Sequence, residues 1–241
     1  MSASSSATSF PERTAAAIVV AGGSGQRMGG IDGGLRKQYL DVDGVPVLRR
    51  AISPFLTHPA IGQVVVVLPS SELTDPPRWL KELPVVLVAG GRERSDSVWN
   101  GLQSVEESAE VVLVHDGARP FASAELISRV LEEARHHGAV PAQPVTDTIK
   151  QADESGLVLG TADRARLWRA QTPQGFPRPM LQEAYRRARR EGWSCTDDAS
   201  VLERAGYTVR LVAGDPQNIK ITVPSDLEIA ELMARRLRRH D

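Results

Sequence analysis

The chain has 241 residues, 41% of them hydrophobic, and a formal net charge of -1. That length suits one large α/β domain, or a domain with a small appendage, and the balanced charge argues against a nucleic-acid-binding surface. The single cysteine, Cys195, excludes intrachain disulfides and suits a reducing, cytoplasmic setting, and no apolar run reaches the ~18 residues of a membrane span.

Residues 1–13 read as a disordered tail, serine-rich from Ser2 to Pro11 and without the basic-then-apolar order of a signal segment. A domain over 14–241 follows. Its first strand is the apolar run beginning at Ile18, which breaks at Ala21-Gly22-Gly23-Ser24-Gly25. Such a turn carries almost no side chains, so its backbone N–H groups can approach a phosphate chain. Arg27 and Lys37 follow and flank the loop with cations. A plain glycine-rich β–α connection accounts for the same loop taken alone.

Helical spacing predicts a helix over Pro46–Leu56, then strands over Gln63–Leu68 and Val85–Val88, both apolar enough to be buried. A helix over Ser95–Val105, a strand over Val111–Val114, a helix over Leu126–Ala134 and a strand over Ala139–Gln143 continue the alternation. The rhythm breaks over Val145–Trp168, where two short segments flank the turn Asp153-Glu154-Ser155-Gly156 as a protruding β-hairpin too small to hold a core. Helices over Pro179–Glu191 and Asp197–Ala205, a strand over Tyr207–Val212 and a helix over Pro224–Arg238 close the chain, the last with Leu227, Ala230 and Leu237 inward. The pattern is a three-layer, Rossmann-like α/β fold on a mostly parallel sheet.

Ligands of open parallel sheets bind at the carboxyl ends of the strands, where the distinctive residues collect. Those ends deliver the glycine loop, Gly90 to Ser97, Asp116 to Arg119, and the corner that carries Lys220. One rim is thus expected to hold Arg27, Lys37, Arg94, Arg119, Arg164 and Lys220 beside a lone exposed carboxylate, Asp116, an imbalance that calls for an anionic ligand. Asp116 after a strand suits Mg²⁺ held by one carboxylate, substrate phosphates and water, although a turn or helix cap would use the same residue. His115 reads as a packing or hydrogen-bonding residue. The dinucleotide fingerprint fails at Met28, the Gly-Lys-Ser/Thr tripeptide of the P-loop is absent, and there is neither a nucleophile elbow nor zinc spacing.

The segments AGGSGQRM with KQYL, GGRERSDSV, VHDGARP, PVTDTIK, QTPQGF, TDDAS and PQNIKIT stand in this order along the chain. From about Ala17 to Leu232 the sequence resembles the 2-C-methyl-D-erythritol 4-phosphate cytidylyltransferases. The resemblance implies a nucleotidyltransferase fold, and an activity joining CTP to methylerythritol phosphate with release of pyrophosphate. It implies that Ala21, Gly22, Gly23 and Gly25 cradle CTP, with Gly90, Arg94 and Ser97 toward base and ribose. It makes Arg27 and Lys37 the transition-state pair and Asp116 the Mg²⁺ ligand, beside Gly117. It makes Arg164 and Lys220 the residues that position the sugar phosphate, near Thr148, Arg119, Thr172 and Thr196. It also makes the hairpin arm, about 145–168, a dimerisation element that reaches a partner's site in a homodimer. Two departures stand out: a glycine-rich Gly29–Arg36 segment, expected to be mobile without ligand, and Arg92 where the family often has an acidic ribose contact. A cytidylyltransferase for another polyol phosphate, such as ribitol 5-phosphate, and a non-catalytic nucleotide-binding protein are the alternatives.

Overall fold

The computed structural model describes residues 13–22 and 37–238. Residues 1–12 of the serine-rich tail lie outside the described residues. So do Gly23, Gly25, Arg27, the Gly29–Arg36 segment and the side chain of Lys37.

In chain order, β1 (Ala15–Val20) leads to a 3-10 turn (Lys37–Tyr39), the short pair β2 (Asp41–Val42) and β3 (Val45–Pro46), and helix α1 (Val47–Thr57). Strand β4 (Ile61–Leu68) follows, then the single turns α2 (Ser70–Leu73) and α3 (Arg78–Lys81), β5 (Val86–Ala89), α4 (Arg94–Leu102) and β6 (Val111–Asp116). Next come α5 (Ala124–Glu133), β7 (Gly138–Pro144), β8 (Lys150–Ala152), β9 (Val158–Thr161), β10 (Trp168–Ala170) and β11 (Gln174–Pro177). Helices α6 (Arg178–Glu191) and α7 (Asp198–Arg204), strand β12 (Val209–Ala213) and helix α8 (Pro224–Leu237) complete it.

The main sheet runs β10-β7-β11-β6-β1-β4-β5, with β12 also paired to β7. Strands β5, β4, β1 and β6 are mutually parallel, and β12 is parallel to β7. Because β11 is antiparallel to both β6 and β7, those two point the same way. The carboxyl ends of β1, β4, β5, β6, β7 and β12 therefore share one edge, the edge that carries Ala21, Gly90 and Asp116.

Alternation along β1 sends Ala15, Ala17 and Val19 to one core and Ala16 and Ile18 to the other. Helices α1 and α5 cover the first face with Leu48, Ile52, Phe55, Ile127, Val130 and Leu131. Helices α4, α6 and α7 cover the second with Val98, Leu102, Leu181, Tyr185, Val201 and Leu202. Burial of both faces is why VVVVL reads as an uninterrupted apolar run. Each large side chain so buried contributes roughly 1.5–3 kcal/mol. A smaller core under α8 joins Val42, Phe121, Ile221, Ala230 and Ala234.

Three expectations are corrected. The strand read at Val85–Val88 as buried is the sheet edge, with Val86 40% exposed, because nothing pairs its outer side among the described residues. Leu237 is not inward but 42% exposed, since α8 turns its last apolar residue away from the small core that holds Ala230 and Ala234. The break after Val145 is more than a hairpin. Strands β8 and β9 form the expected two-stranded arm, but Trp168 belongs to β10, which returns to pair with β7. The QTPQGF motif supplies β11, the antiparallel strand wedged between β6 and β7. No helix among the described residues is long and apolar enough to cross a membrane.

Candidate active site

Strand β1 hands over to the glycine loop at Ala21, whose N–H continues the ladder to Val67 O at 2.9 Å. Its carbonyl accepts a hydrogen bond from Gln38 Nε2 at 3.0 Å, so the turn opened by Lys37 is tied to the end of β1. Ser97, buried on α4, donates to Glu93 O and accepts from Gly91 N, both at 3.1 Å. A Cβ on Gly91 would lie 2.1 Å from that of Asp96, so only glycine lets this loop close against the start of α4. A Cβ on Gly90 would come within 3.0 Å of Ser97 Oγ, and one on Gly22 within 3.5 Å of the same atom. Gly22, Gly90 and Ser97 are thus gathered at one point beside the α4 N-terminus, where a capping box of Glu93 and Asp96 orders the first turn.

Asp116 ends β6 at the centre of the rim. Arg94 Nε meets its Oδ1 at 3.2 Å, Lys220 Nζ meets its Oδ2 at 2.8 Å, and Arg119 Nε stands 3.9 Å from Oδ2. Burial alone would push this carboxyl up, but Arg94, Lys220 and Arg119 outweigh it and hold the group well below the usual carboxylate range. Gly117 follows, its N–H bonded to Val20 O at 2.9 Å, which locks the β6 end to the β1 end. A Cβ there would press Leu48 at 3.0 Å and Val20 O at 3.1 Å.

The Lys220 corner is fixed by amides. Asn218, fully buried, donates to Thr172 O at 2.7 Å, and its own carbonyl accepts from Arg119 Nη1 at 2.8 Å. Gln171 clasps Asp215 from both ends, donating to its carbonyl at 2.7 Å and accepting from its N–H at 3.0 Å.

The cluster differs from the sequence expectation in its charge balance. Asp116 is neither exposed nor alone: it is 8% exposed, and a second carboxylate, Asp198, fully buried, binds the same Arg94 at 2.8 Å. Arg94, Arg119 and Lys220 are therefore partly neutralised within the fold. Thr172 is buried, and its hydroxyl accepts from Asp116 N at 3.0 Å and contacts His115 Nδ1 at 3.2 Å. Like Ser97, it holds the site's backbone rather than facing the rim with a free hydroxyl. Thr196 is exposed just before α7, and Thr148 and Arg164 are exposed at the arm, where Arg164 Nη1 donates to Thr146 O at 2.7 Å. The structure brings together Ala21, Gly22, Gly90, Arg94, Ser97, Asp116, Gly117, Arg119, Thr172 and Lys220. Among the described residues, no hydrogen bond or ion pair joins Thr148, Arg164 or Thr196 to that group. Gln38, Gln171, Asp198 and Asn218 stand in the motifs quoted above, but the sequence gives them no role of their own. The doublet in TDDAS was the one available sign of Asp198, and it reads equally well as two helix caps, the role that Asp197 fills with a 3.0 Å bond from Ser200 N.

His115 is the packing residue expected, wholly buried against Phe55 and bonded through Nε2 to Arg119 O at 3.0 Å. Burial lowers its pKa from 6.5 to about 4. Between those values the unfolded chain takes up a proton that the folded chain refuses, so stability falls as pH drops through that window and is full above it. The expected loss is about 3 kcal/mol. His58, lowered by burial as well, adds in the same direction, so the test compares urea unfolding of wild type and His115→Gln at several pH values. The variant should have the shallower dependence; equal slopes would contradict the assignment.

A cleft of about 320 Å³ beside α6 is lined in part by Glu93, Tyr185, Trp193 and Cys195. It includes none of Asp116, Arg119 or Lys220, so it is not the place where the rim converges. No group of three or more His, Cys, Asp or Glu side chains among the described residues could hold a metal by itself.

The Ala21-Gly22 end of β1, a helix N-terminus and a carboxylate among cations, all on the carboxyl edge of a mostly parallel sheet, are the layout of a Rossmann-like nucleotidyltransferase. Solved structures share this fold. A 2-C-methyl-D-erythritol 4-phosphate cytidylyltransferase from Thermus thermophilus matches with a TM-score of 0.76 at 36% identity, over 90% of this chain and 98% of that one. A 4-diphosphocytidyl-2C-methyl-D-erythritol synthase from Anaerococcus prevotii matches with a TM-score of 0.81 at 28% identity, over 92% and 96%. In sequence, the 2-C-methyl-D-erythritol 4-phosphate cytidylyltransferase of Syntrophus aciditrophicus is 43% identical over 227 residues, 91% of this chain and 95% of its own. The family model for 2-C-methyl-D-erythritol 4-phosphate cytidylyltransferase matches residues 15–236, and the chain belongs to that family.

Proposed function

We infer that this chain transfers the cytidylyl group of CTP to 2-C-methyl-D-erythritol 4-phosphate, giving CDP-methylerythritol and pyrophosphate for isoprenoid precursor synthesis. The observation that carries the reading is Asp116 held among Arg94, Arg119 and Lys220 beside the β1 loop, in a chain matched to the family over 15–236. The relatives named above act on methylerythritol phosphate by their names, which favours this acceptor over ribitol 5-phosphate. Pyrophosphate release from CTP that depends on methylerythritol phosphate tests it, and a chain that binds CTP without turnover would return the binding-protein alternative.

The chemistry follows from the charges. A phosphate monoester oxygen of the acceptor attacks the α-phosphorus of CTP, the bond to the bridging oxygen breaks, and pyrophosphate leaves with the electron pair. The nucleophile is already anionic at neutral pH, so no general base is required. What is required is alignment of two mutually repelling anions and neutralisation of the bridging charge. Gly22, Gly23 and Gly25 would offer backbone N–H groups to the triphosphate, with Ala21, its own N–H held by Val67 O, opening the cradle next to Gly90, Arg94 and Ser97. Arg27 and Lys37 act where negative charge builds up. Lys220 and Arg164 hold the acceptor phosphate, with Arg119, Thr148 and Thr196 around it.

Mg²⁺ fits this set of donors. Asp116 offers one ionised carboxylate, and the lysine on its Oδ2 has a side chain 40% exposed that can turn aside. One carboxylate completed by phosphate oxygens and water is how Mg²⁺ is commonly bound in nucleotide sites. When bound, the ion would supply charge neutralisation at the bridging phosphates.

The arm supports a homodimer. Leu157, Val158 and Leu159 are 64%, 56% and 67% exposed, and Trp168 at its base is 47% exposed. So large an apolar tip on a two-stranded arm calls for a partner surface. In a two-fold dimer each site would combine Lys220 of one subunit with Arg164 of the other. Two inactive proteins, Lys220→Ala and Arg164→Met, should then complement after subunit exchange, because a mixed dimer has one site with both defects and one with neither. Random exchange returns about a quarter of wild-type activity. An arm that serves its own subunit returns none. The single free cysteine suits work in a reducing cytoplasm.

A further inference from the structure

We propose that Asp198 and Tyr185 are positioning residues for this reaction, acting on Asp116 through Arg94. The inference rests on the proposed function. It starts from a charge with no access to water: Asp198, first residue of α7, is fully buried. A carboxylate so placed needs both oxygens satisfied. Its Oδ2 takes Arg94 Nη2 at 2.8 Å, and its Oδ1 takes the hydroxyl of Tyr185, itself 2% exposed on α6, at 2.6 Å.

Arg94 is consequently shared. Its Nη2 serves Asp198, and its Nε reaches Asp116 Oδ1 at 3.2 Å, the longer of the two contacts. A guanidinium facing one carboxylate closes on it in a two-bond fork. Asp198 prevents that closure. It draws the Nη2 edge toward α7 and leaves Asp116 a single-point contact on Oδ1, with Oδ2 left to the movable Lys220. Tyr185 in turn fixes the rotation of the Asp198 carboxylate. The chain Tyr185–Asp198–Arg94–Asp116 thereby runs from the α6/α7 layer to the rim and sets which oxygen of Asp116 the reaction can use.

Fold cement would have the same contacts, so the test separates stability from turnover. Asp198→Asn frees Arg94 to close on Asp116. It is expected to lower kcat at saturating CTP and acceptor by on the order of 10- to 100-fold, the penalty of a misplaced catalytic group, with KM for CTP changed far less. Tyr185→Phe, which removes one hydroxyl and keeps the ring, should lower kcat in the same sense but less. Because both act through Arg94, neither should lower kcat further in an Arg94→Met background. Native circular dichroism accompanies each assay. Should Asp198→Asn not fold, Tyr185→Phe in both backgrounds decides. Wild-type kcat in the folded variants, or an undiminished further loss in the Arg94→Met background, would overturn the proposal. A wild type without turnover would instead overturn the function on which it rests.

Discussion

Replacing Asp116 by Asn is expected to lower turnover at least about 100-fold while the chain still folds. Asparagine keeps the shape of the side chain and removes the charge that a hard cation prefers. The surroundings say why the fold should survive. Arg94 retains Asp198 at 2.8 Å, and Lys220, with 40% of its side chain exposed, can reach solvent. Arg119 keeps its bond to Asn218 O at 2.8 Å. The stability cost is then about 1–3 kcal/mol rather than that of a stranded buried charge. Steady-state rates over a Mg²⁺ series, with a melting curve for each protein, make the comparison. A variant that turns over normally at ordinary Mg²⁺ would move the metal away from this carboxylate.

Arg27→Ala and Lys37→Ala should each cost about 3–4 kcal/mol in transition-state stabilisation, a few hundred-fold or more in kcat, with CTP affinity far less affected. The motive is the flow of charge. On the proposed reading, negative charge grows on the bridging oxygen as pyrophosphate departs, and cations that meet that charge bind the transition state better than the ground state. Lys37 opens the turn that Gln38 ties to Ala21 O, a bond of 3.0 Å that fixes where the Lys37 backbone starts relative to β1. Single-turnover and steady-state assays separate the two parameters. Near-normal kcat with a raised KM in either variant would make that residue a binding group instead.

Much of the fold was legible because its strands are extreme. Runs such as VVVVL can only be strands covered on both faces, and the carboxyl ends of those strands do bring Arg94, Asp116, Arg119 and Lys220 together. What failed was weakly patterned. Val86 looks as apolar as Val66, yet one ends in an edge strand and the other in the core. Strand β11 is four residues long and contains glycine and proline, so its sequence carries no alternation. Within the site, the cations and Asp116 were visible as residue types, but their pairing was not. Asp116 meets Lys220, and Arg94 meets Asp198, each across 104 positions of sequence. No local pattern encodes such meetings, so Asp116 read as exposed and lone. The bonding roles of Gln38, Gln171 and Asn218 were illegible for a related reason. They bond mainly to backbone, and buried amides in turns have no periodicity to betray them.

A competition between acceptors measures the enzyme's choice of polyol phosphate most directly. Purified chain, CTP and Mg²⁺ are mixed with equal amounts of methylerythritol phosphate and ribitol 5-phosphate, and products are weighed by mass spectrometry against pyrophosphate released. A site whose polar groups are built for one polyol rejects another by roughly 100-fold or more. CDP-methylerythritol is expected in that excess and equimolar with pyrophosphate; CDP-ribitol in equal or greater amount, or no pyrophosphate at all, would overturn the assignment.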